Sequence, residues 1–212
     1  MKPAPASFAP RTREGPAPST PAVFTVDRYR ALEADADGVP RLQAFLDANP
    51  EYHLLVTGEP PAAGEAATEF AARPPEGWPY TKRWLLEIVD GDGSIVAIAD
   101  LVSDLLAPRV WHVGLFVVAT RLHGQGIAAR LYAALEAWMR AARAEWLRLG
   151  VVAGNLRAER FWRALGYREV CTRTGIVMGQ RTNTLVVLVK PLADGAFDDY
   201  FARVPRDIAD AP

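Results

Sequence analysis

With only one cysteine in 212 residues, Cys171, the chain can form neither an internal disulfide nor a thiolate metal cluster, and disulfide-stapled scaffolds are excluded. Excess charge is missing too. The 24 lysines and arginines against 25 aspartates and glutamates leave a net charge of −1, without the global basic field that binding to nucleic acid would need. No apolar run reaches the ~18 residues of a membrane-spanning helix. Residues 1 to 21 hold six prolines, with Arg11 and Arg13, and no apolar run, which matches neither a secretory signal nor an amphipathic presequence. This composition predicts a disordered leader over residues 1–22 and a cytoplasmic protein with no nucleic-acid or membrane partner.

What is present is the material for a core. Half the residues are apolar and 23% are charged, too hydrophobic for a disordered chain. One domain of this size buries roughly 70% of its unfolded surface. The pattern places that domain over residues 23–191, followed by an acidic, aromatic tail over 192–212 that can form a helix around Phe197, Tyr200 and Phe201.

Periodicity predicts a short strand from Phe24 to Tyr29, then a helix between Gly38 and Asn49 carrying Leu42, Phe45 and Leu46, and another over Ala62 to Ala72. The period then shortens. Residues 83 to 89 and 94 to 102 read as a hairpin around Asp90-Gly91-Asp92-Gly93, and Arg109 to Val118 as a strand buried on both faces. A long helix with Ile127, Leu131, Leu135 and Met139 on one stripe follows, then a buried strand from Trp146 to Val152. Asn155 can cap a short helix that carries Ala158, Phe161, Trp162 and Leu165 and ends at Gly166. Strands over Tyr167 to Thr174 and Thr182 to Lys190 complete the chain, and Pro191 stops the last. The order implies a mixed α/β or α+β fold with a largely antiparallel, twisted sheet of six to seven strands flanked by helices.

The chemistry is concentrated where the strand ending at Val118 meets the long helix. Between them lies Ala119-Thr120-Arg121-Leu122-His123-Gly124-Gln125-Gly126. Amides at a helix N-terminus lack intrahelical partners and carry partial positive charge, so a glycine-bearing loop there suits an anion. A plain turn uses glycine as well. A dinucleotide fingerprint would need a third glycine and a Walker loop a Gly-Lys-Ser/Thr, and neither is present.

The loop His123-Gly124-Gln125-Gly126-Ile127-Ala128 resembles the acetyl-coenzyme A motif of the GNAT superfamily of N-acetyltransferases, [Arg/Gln]-x-x-Gly-x-[Gly/Ala]. The block Asn155-Leu156-Arg157-Ala158-Glu159-Arg160-Phe161-Trp162, continuing to Gly166-Tyr167, resembles the family's later Asn-x-x-Ala-x-x-Phe helix. The loop fits in two registers, from Arg121 or from His123. The second is favoured because it sets Ile127, Ala128 and Leu131 where the family has them, with histidine where arginine or glutamine is usual.

The resemblance implies that acetyl-CoA is the co-substrate, that no metal takes part, and that the acceptor is a primary amine of a small molecule or peptide, attacking directly in a ternary complex. It assigns the diphosphate to the amides of His123, Gly124, Gln125, Gly126, Ile127 and Ala128. The pantetheine arm falls to Phe116, Val117 and Val118 on a splayed strand, and further contacts to Asn155, Phe161 and Trp162. A homodimer is compatible with the family.

The family's strand glutamate, a proton acceptor, corresponds to His112, with Glu87 and Asp100 in reserve. Its sulfur-protonating tyrosine corresponds to Trp162, which cannot act as an acid, so Tyr167 or Tyr132 is expected to substitute. The glutamates at positions 51, 59, 65, 69 and 76 would suit a cationic acceptor. The missing tyrosine and strand glutamate leave open a second reading, an acyl-CoA-binding sensor or scaffold without transferase activity.

Overall fold

The computed structural model describes residues 21–209, so all but the end of the leader expected over residues 1–22 lies outside the described residues. One sheet of eight strands organises the chain, in the order β1-β2-β3-β4-β5-β6-β8-β7. Every pairing is antiparallel except that of β5 (Val110–Val118) with β6 (Trp146–Val152).

The expected count was six to seven, and the extra strand comes from the start. The stretch predicted as one strand is a hairpin, β1 (Phe24–Val26) and β2 (Tyr29–Glu33), turning at Asp27 with φ of 52°. The central hairpin, β3 (Lys82–Val89) and β4 (Ile95–Ser103), closes through Asp90, whose amide bonds to the Ser94 carbonyl at 3.0 Å.

Helices cover both faces of the sheet. On one, α1 (Val39–Ala48) and α3 (Glu65–Ala71) press Leu42, Phe45, Leu46 and Ala66 onto Leu85, Ile98 and Leu115. Between them lies α2 (Glu51–Val56), which the sequence pattern does not announce. Asn49-Pro50 reads as a terminator, yet Pro50 caps the next helix, since proline needs no amide partner at a helix start. On the other face, α4 (Ile127–Ala141) and α5 (Leu156–Ala164) bury Tyr132, Leu135, Met139 and Trp162 against Leu101, Trp111, Val113 and Leu149. Trp84 and Trp111 stack in the same layer at 5.0 Å.

Two edge features finish the fold. Strands β7 (Arg168–Met178) and β8 (Arg181–Pro191) form a long hairpin. Its tip meets the end of α2, with the Gln180 amide donating to the Thr57 carbonyl at 2.9 Å and Asn183 Nδ2 to that of Val56 at 2.9 Å. The C-terminal segment folds back through α6 (Phe197–Arg203), whose buried Tyr200 packs 5.3 Å from Trp146.

Candidate active site

The parallel pair β5 and β6 starts together and parts. Val110, Trp111, His112 and Val113 pair with Trp146, Leu147, Arg148 and Leu149, but beyond these β5 has no β6 partner, while β6 stays paired to β8 as far as Val152. A strand edge that leaves its ladder has donors and acceptors to offer a ligand.

The parting coincides with a bulge at Gly114. Trp111 and Val113 face the α4 layer, whereas Leu115 and Val117 join the opposite cluster, so one extra residue exchanges the two faces. Glycine is needed there, because a β-carbon on Gly114 would lie 2.6 Å from Asp100 Oδ2.

A groove of about 970 Å³ occupies the opening. At one end stand Val118, His123, Gly124 and Ala128, with Asn155, Phe161 and Trp162 of α5. Gly124 and Gly126 adopt φ of 75° and 74°, left-handed values that L side chains resist, and Gly126 caps α4. His123 fastens this end. Arg157 donates to its Nδ1 at 2.7 Å, which makes Nε2 the protonated nitrogen, and that atom donates to the Val118 carbonyl at 2.9 Å. Asn155 Oδ1 accepts from the Ala158 amide at 3.2 Å, the expected cap. Phe161 stacks on Phe116 at 6.2 Å.

Asp100, His112, Arg148 and Tyr52 line the same groove. Burial raises the Asp100 carboxyl to about 6, against the pull of Arg83, whose Nε is 2.7 Å away. His112 is driven the other way, to about 3, by burial and then by the positive charge of Arg148. Burial, then the neighbouring Glu69 and Asp100, lifts the Tyr52 hydroxyl to about 12.

Of the residues expected from sequence, the groove gathers Asp100, His112, Phe116, Val117, Val118, His123, Gly124, Ala128, Asn155, Phe161 and Trp162. Gln125, Gly126 and Ile127 complete the loop beside it. Glu87 and Tyr167 stand outside. Glu87 is buried and ion-paired with Arg41, and Tyr167 is buried behind the α4 layer with its hydroxyl on that of Tyr132.

Four of the five glutamates offered for a cationic acceptor are already engaged: Glu51 with Thr120, Glu59 with Gln180, Glu65 with His53 and Glu69 with Arg83. Glu76 is exposed. Tyr52, Arg148, Arg173 and Arg206 also line the groove and were not singled out from sequence. For Arg148 there is a signal, a lone charge between leucines in an apolar strand.

The family model for the acetyltransferase (GNAT) family matches residues 42–167, more than half the chain. The chain belongs to the GNAT family. No curated protein matches it in sequence. Solved structures share its fold at low identity. An acetyltransferase from Thermus thermophilus is 19% identical with a TM-score of 0.62, over 81% of this chain and 99% of that one. The ribosomal-protein-S18-alanine N-acetyltransferase from Escherichia coli is 15% identical at 0.58, over 79% and 96%. The ribosomal-protein-S5-alanine acetyltransferase from Vibrio fischeri is 13% identical at 0.62, over 81% and 97%.

As a GNAT member the chain is an acyltransferase, and acetyl-CoA is the co-substrate that the family implies. Among the described residues no group of three metal-ligating side chains occurs, and no helix is long and apolar enough to cross a membrane.

Proposed function

We propose that this GNAT protein moves an acetyl group from acetyl-CoA to a primary amine of a small molecule or peptide, by direct attack in a ternary complex. The observation that carries the reading is the parting of β5 from β6 at Gly114, with a left-handed glycine loop at its mouth. The loop amides from His123 to Ala128 take the diphosphate, helped by the α4 N-terminus. The free edge from Phe116 to Val118 takes the pantetheine amides. Asn155, Phe161 and Trp162 close over the arm.

At neutral pH a free alkylamine is mostly protonated, so attack requires loss of a proton. The amine binds after that first proton has gone to bulk water, and the second proton, which the nitrogen must shed as it becomes an amide, goes in this reading to Asp100. It lies against Gly114 and is ionised above about pH 6, whereas burial and Arg148 hold His112 neutral and make it a weak base. The amine nitrogen bonds to the thioester carbon, its proton passes to Asp100, the C–S bond breaks, and the sulfur leaves with the electron pair. Tyr52, whose hydroxyl keeps its proton and lines the groove, supplies the proton to that sulfur in place of the tyrosine that Trp162 replaces.

Two measurements test the reading. Calorimetry should show CoA binding that weakens when Gly126 is replaced, and acetyl-CoA with a panel of amines should release free thiol. Binding without thiol release would identify a sensor or scaffold. No heat with CoA would sink both.

A further inference from the structure

Beyond His112 the groove ends among guanidiniums whose charge the described residues do not balance. Arg148, Arg173 and Arg206 all line this end, and the carboxylate they share is that of Asp207. Asp207 is largely committed to Arg148 and Tyr200. It is fully buried and accepts from Arg148 Nε at 2.6 Å, from Arg148 Nη2 at 3.0 Å and from the Tyr200 hydroxyl at 2.6 Å.

What remains for the other two arginines is little. Arg173 reaches the same carboxylate only at 3.7 Å, and its Nε is buried with no hydrogen-bond partner. Arg206 forms no ion pair among the described residues. It is exposed and lies over the Trp78 ring at 4.0 Å, where partial desolvation and then the charge of Arg148 lower its proton affinity. A buried donor without an acceptor costs about 1–3 kcal/mol, and like charges in proximity add to that, so the cluster is arranged for an anion that arrives from outside. Guanidiniums suit a carboxylate because their forked donors match its two oxygens.

We propose that Arg173 and Arg206 dock an anionic group carried by the acceptor, so that the substrate is an amine with a carboxylate a few bonds from its nitrogen, an amino acid being the simplest case. The proposal rests on the acetyltransferase reading above. It places the two ends of the acceptor separately: the amine toward Asp100 and the carboxylate toward the two arginines, in a groove that Val102, Leu105 and Met178 also line. It also turns the expectation of a cationic acceptor around, since the glutamates that suggested one are mostly occupied elsewhere.

The test is acetyl transfer, at saturating acetyl-CoA, to sets of compounds that share a side chain: an amino acid, its amide, the decarboxylated amine and the aminophosphonate. A charge-assisted contact predicts that kcat/KM favours the acid over its amide by roughly 10- to 100-fold. Arg173→Gln and Arg206→Gln should each bring that ratio toward one, and Arg173→Lys should restore part of it. Preference for the aminophosphonate over the amino acid would name phosphonate as the anion and overturn carboxylate. A wild-type ratio of one, or glutamine variants that slow acid and amide equally, overturns the proposal outright.

If no compound accepts an acetyl group although CoA binds, the transferase reading fails, and the docking claim is decided separately by NMR. The Arg173 Nε–H signal, identified by its loss in Arg173→Gln, should move when the CoA-loaded protein is titrated with the amino acids and stay put with their amides. A signal that stays put in both titrations overturns the docking claim.

Discussion

Arg148, in the middle of β6, grips both carboxylate oxygens of Asp207, a residue 59 positions later in the chain. The contact ties the C-terminal segment to the floor of the groove. It also sets the charge that His112 feels from the next strand. Burial alone would raise the Asp207 carboxyl, but the hydrogen bonds and charge of Arg148, with the Tyr200 hydroxyl, hold it below the usual range.

Removing one partner of such a buried pair strands the other. Asp207→Asn should therefore destabilise the protein by about 3–5 kcal/mol, read as a lowered urea midpoint. The double variant Arg148→Met with Asp207→Leu should recover most of that loss.

Asp100 predicts the pH dependence of turnover. Its raised proton affinity means that kcat/KM rises through about pH 6 as the carboxylate forms, superimposed on the amine's own titration. Asp100→Asn should remove that limb and lower kcat/KM by roughly 100- to 10,000-fold. The effect on stability has the opposite sense. A carboxyl with native proton affinity above its unfolded value favours folding most below about pH 4, and that contribution is lost as pH rises through about 6. Denaturation of Asp100→Asn should be flatter across that window.

His112 predicts sensitivity at the acid side. Its imidazole takes up a proton near 6.5 when unfolded but only near 3 when folded, so its contribution to stability is present above about pH 6.5 and is lost as pH falls toward 3. His112→Gln should lose less stability than the wild type between pH 6.5 and 4, measured by urea denaturation at each pH.

Gly126 predicts a separation of strain from ligand binding. A β-carbon there meets nothing within 4 Å, so Gly126→Val carries only the left-handed penalty of about 1–2 kcal/mol in folding. Gly93, with φ of 87° and equally open surroundings in the β3–β4 turn, supplies the control. Both valine variants should lower the thermal midpoint similarly, but Gly126→Val alone should weaken CoA binding, by about tenfold or more in calorimetry. Equal CoA affinity in the two would remove the loop from the site.

Much of this molecule is readable along the chain. The loop from His123 to Ala128, the cap at Asn155, the β3–β4 turn and the stripes of α4 and α5 depend on neighbours a few residues away, and those neighbours are printed in order. Periodicity and turn chemistry therefore locate most elements to within a residue or two, although β7 runs four residues past the expected Thr174 and α3 starts three residues after the expected Ala62, and the two motifs point to the end of the groove proposed for CoA. Residues whose meaning depends on a distant partner carry no such signature. Asp100 and Glu87 look alike in sequence, two carboxylates on adjacent strands, yet one faces the groove over Gly114 and the other is spent on Arg41. Tyr52 lies in a helix hidden behind Asn49-Pro50. The bulge that opens β5 from β6, and the return of the C-terminal segment that brings Asp207 to Arg148 and Arg206 to the groove, arise from contacts between segments far apart in the chain. Local pattern records what each residue prefers to be; which groups share a low-dielectric space, and hence which are acids, bases or anchors, follows from packing.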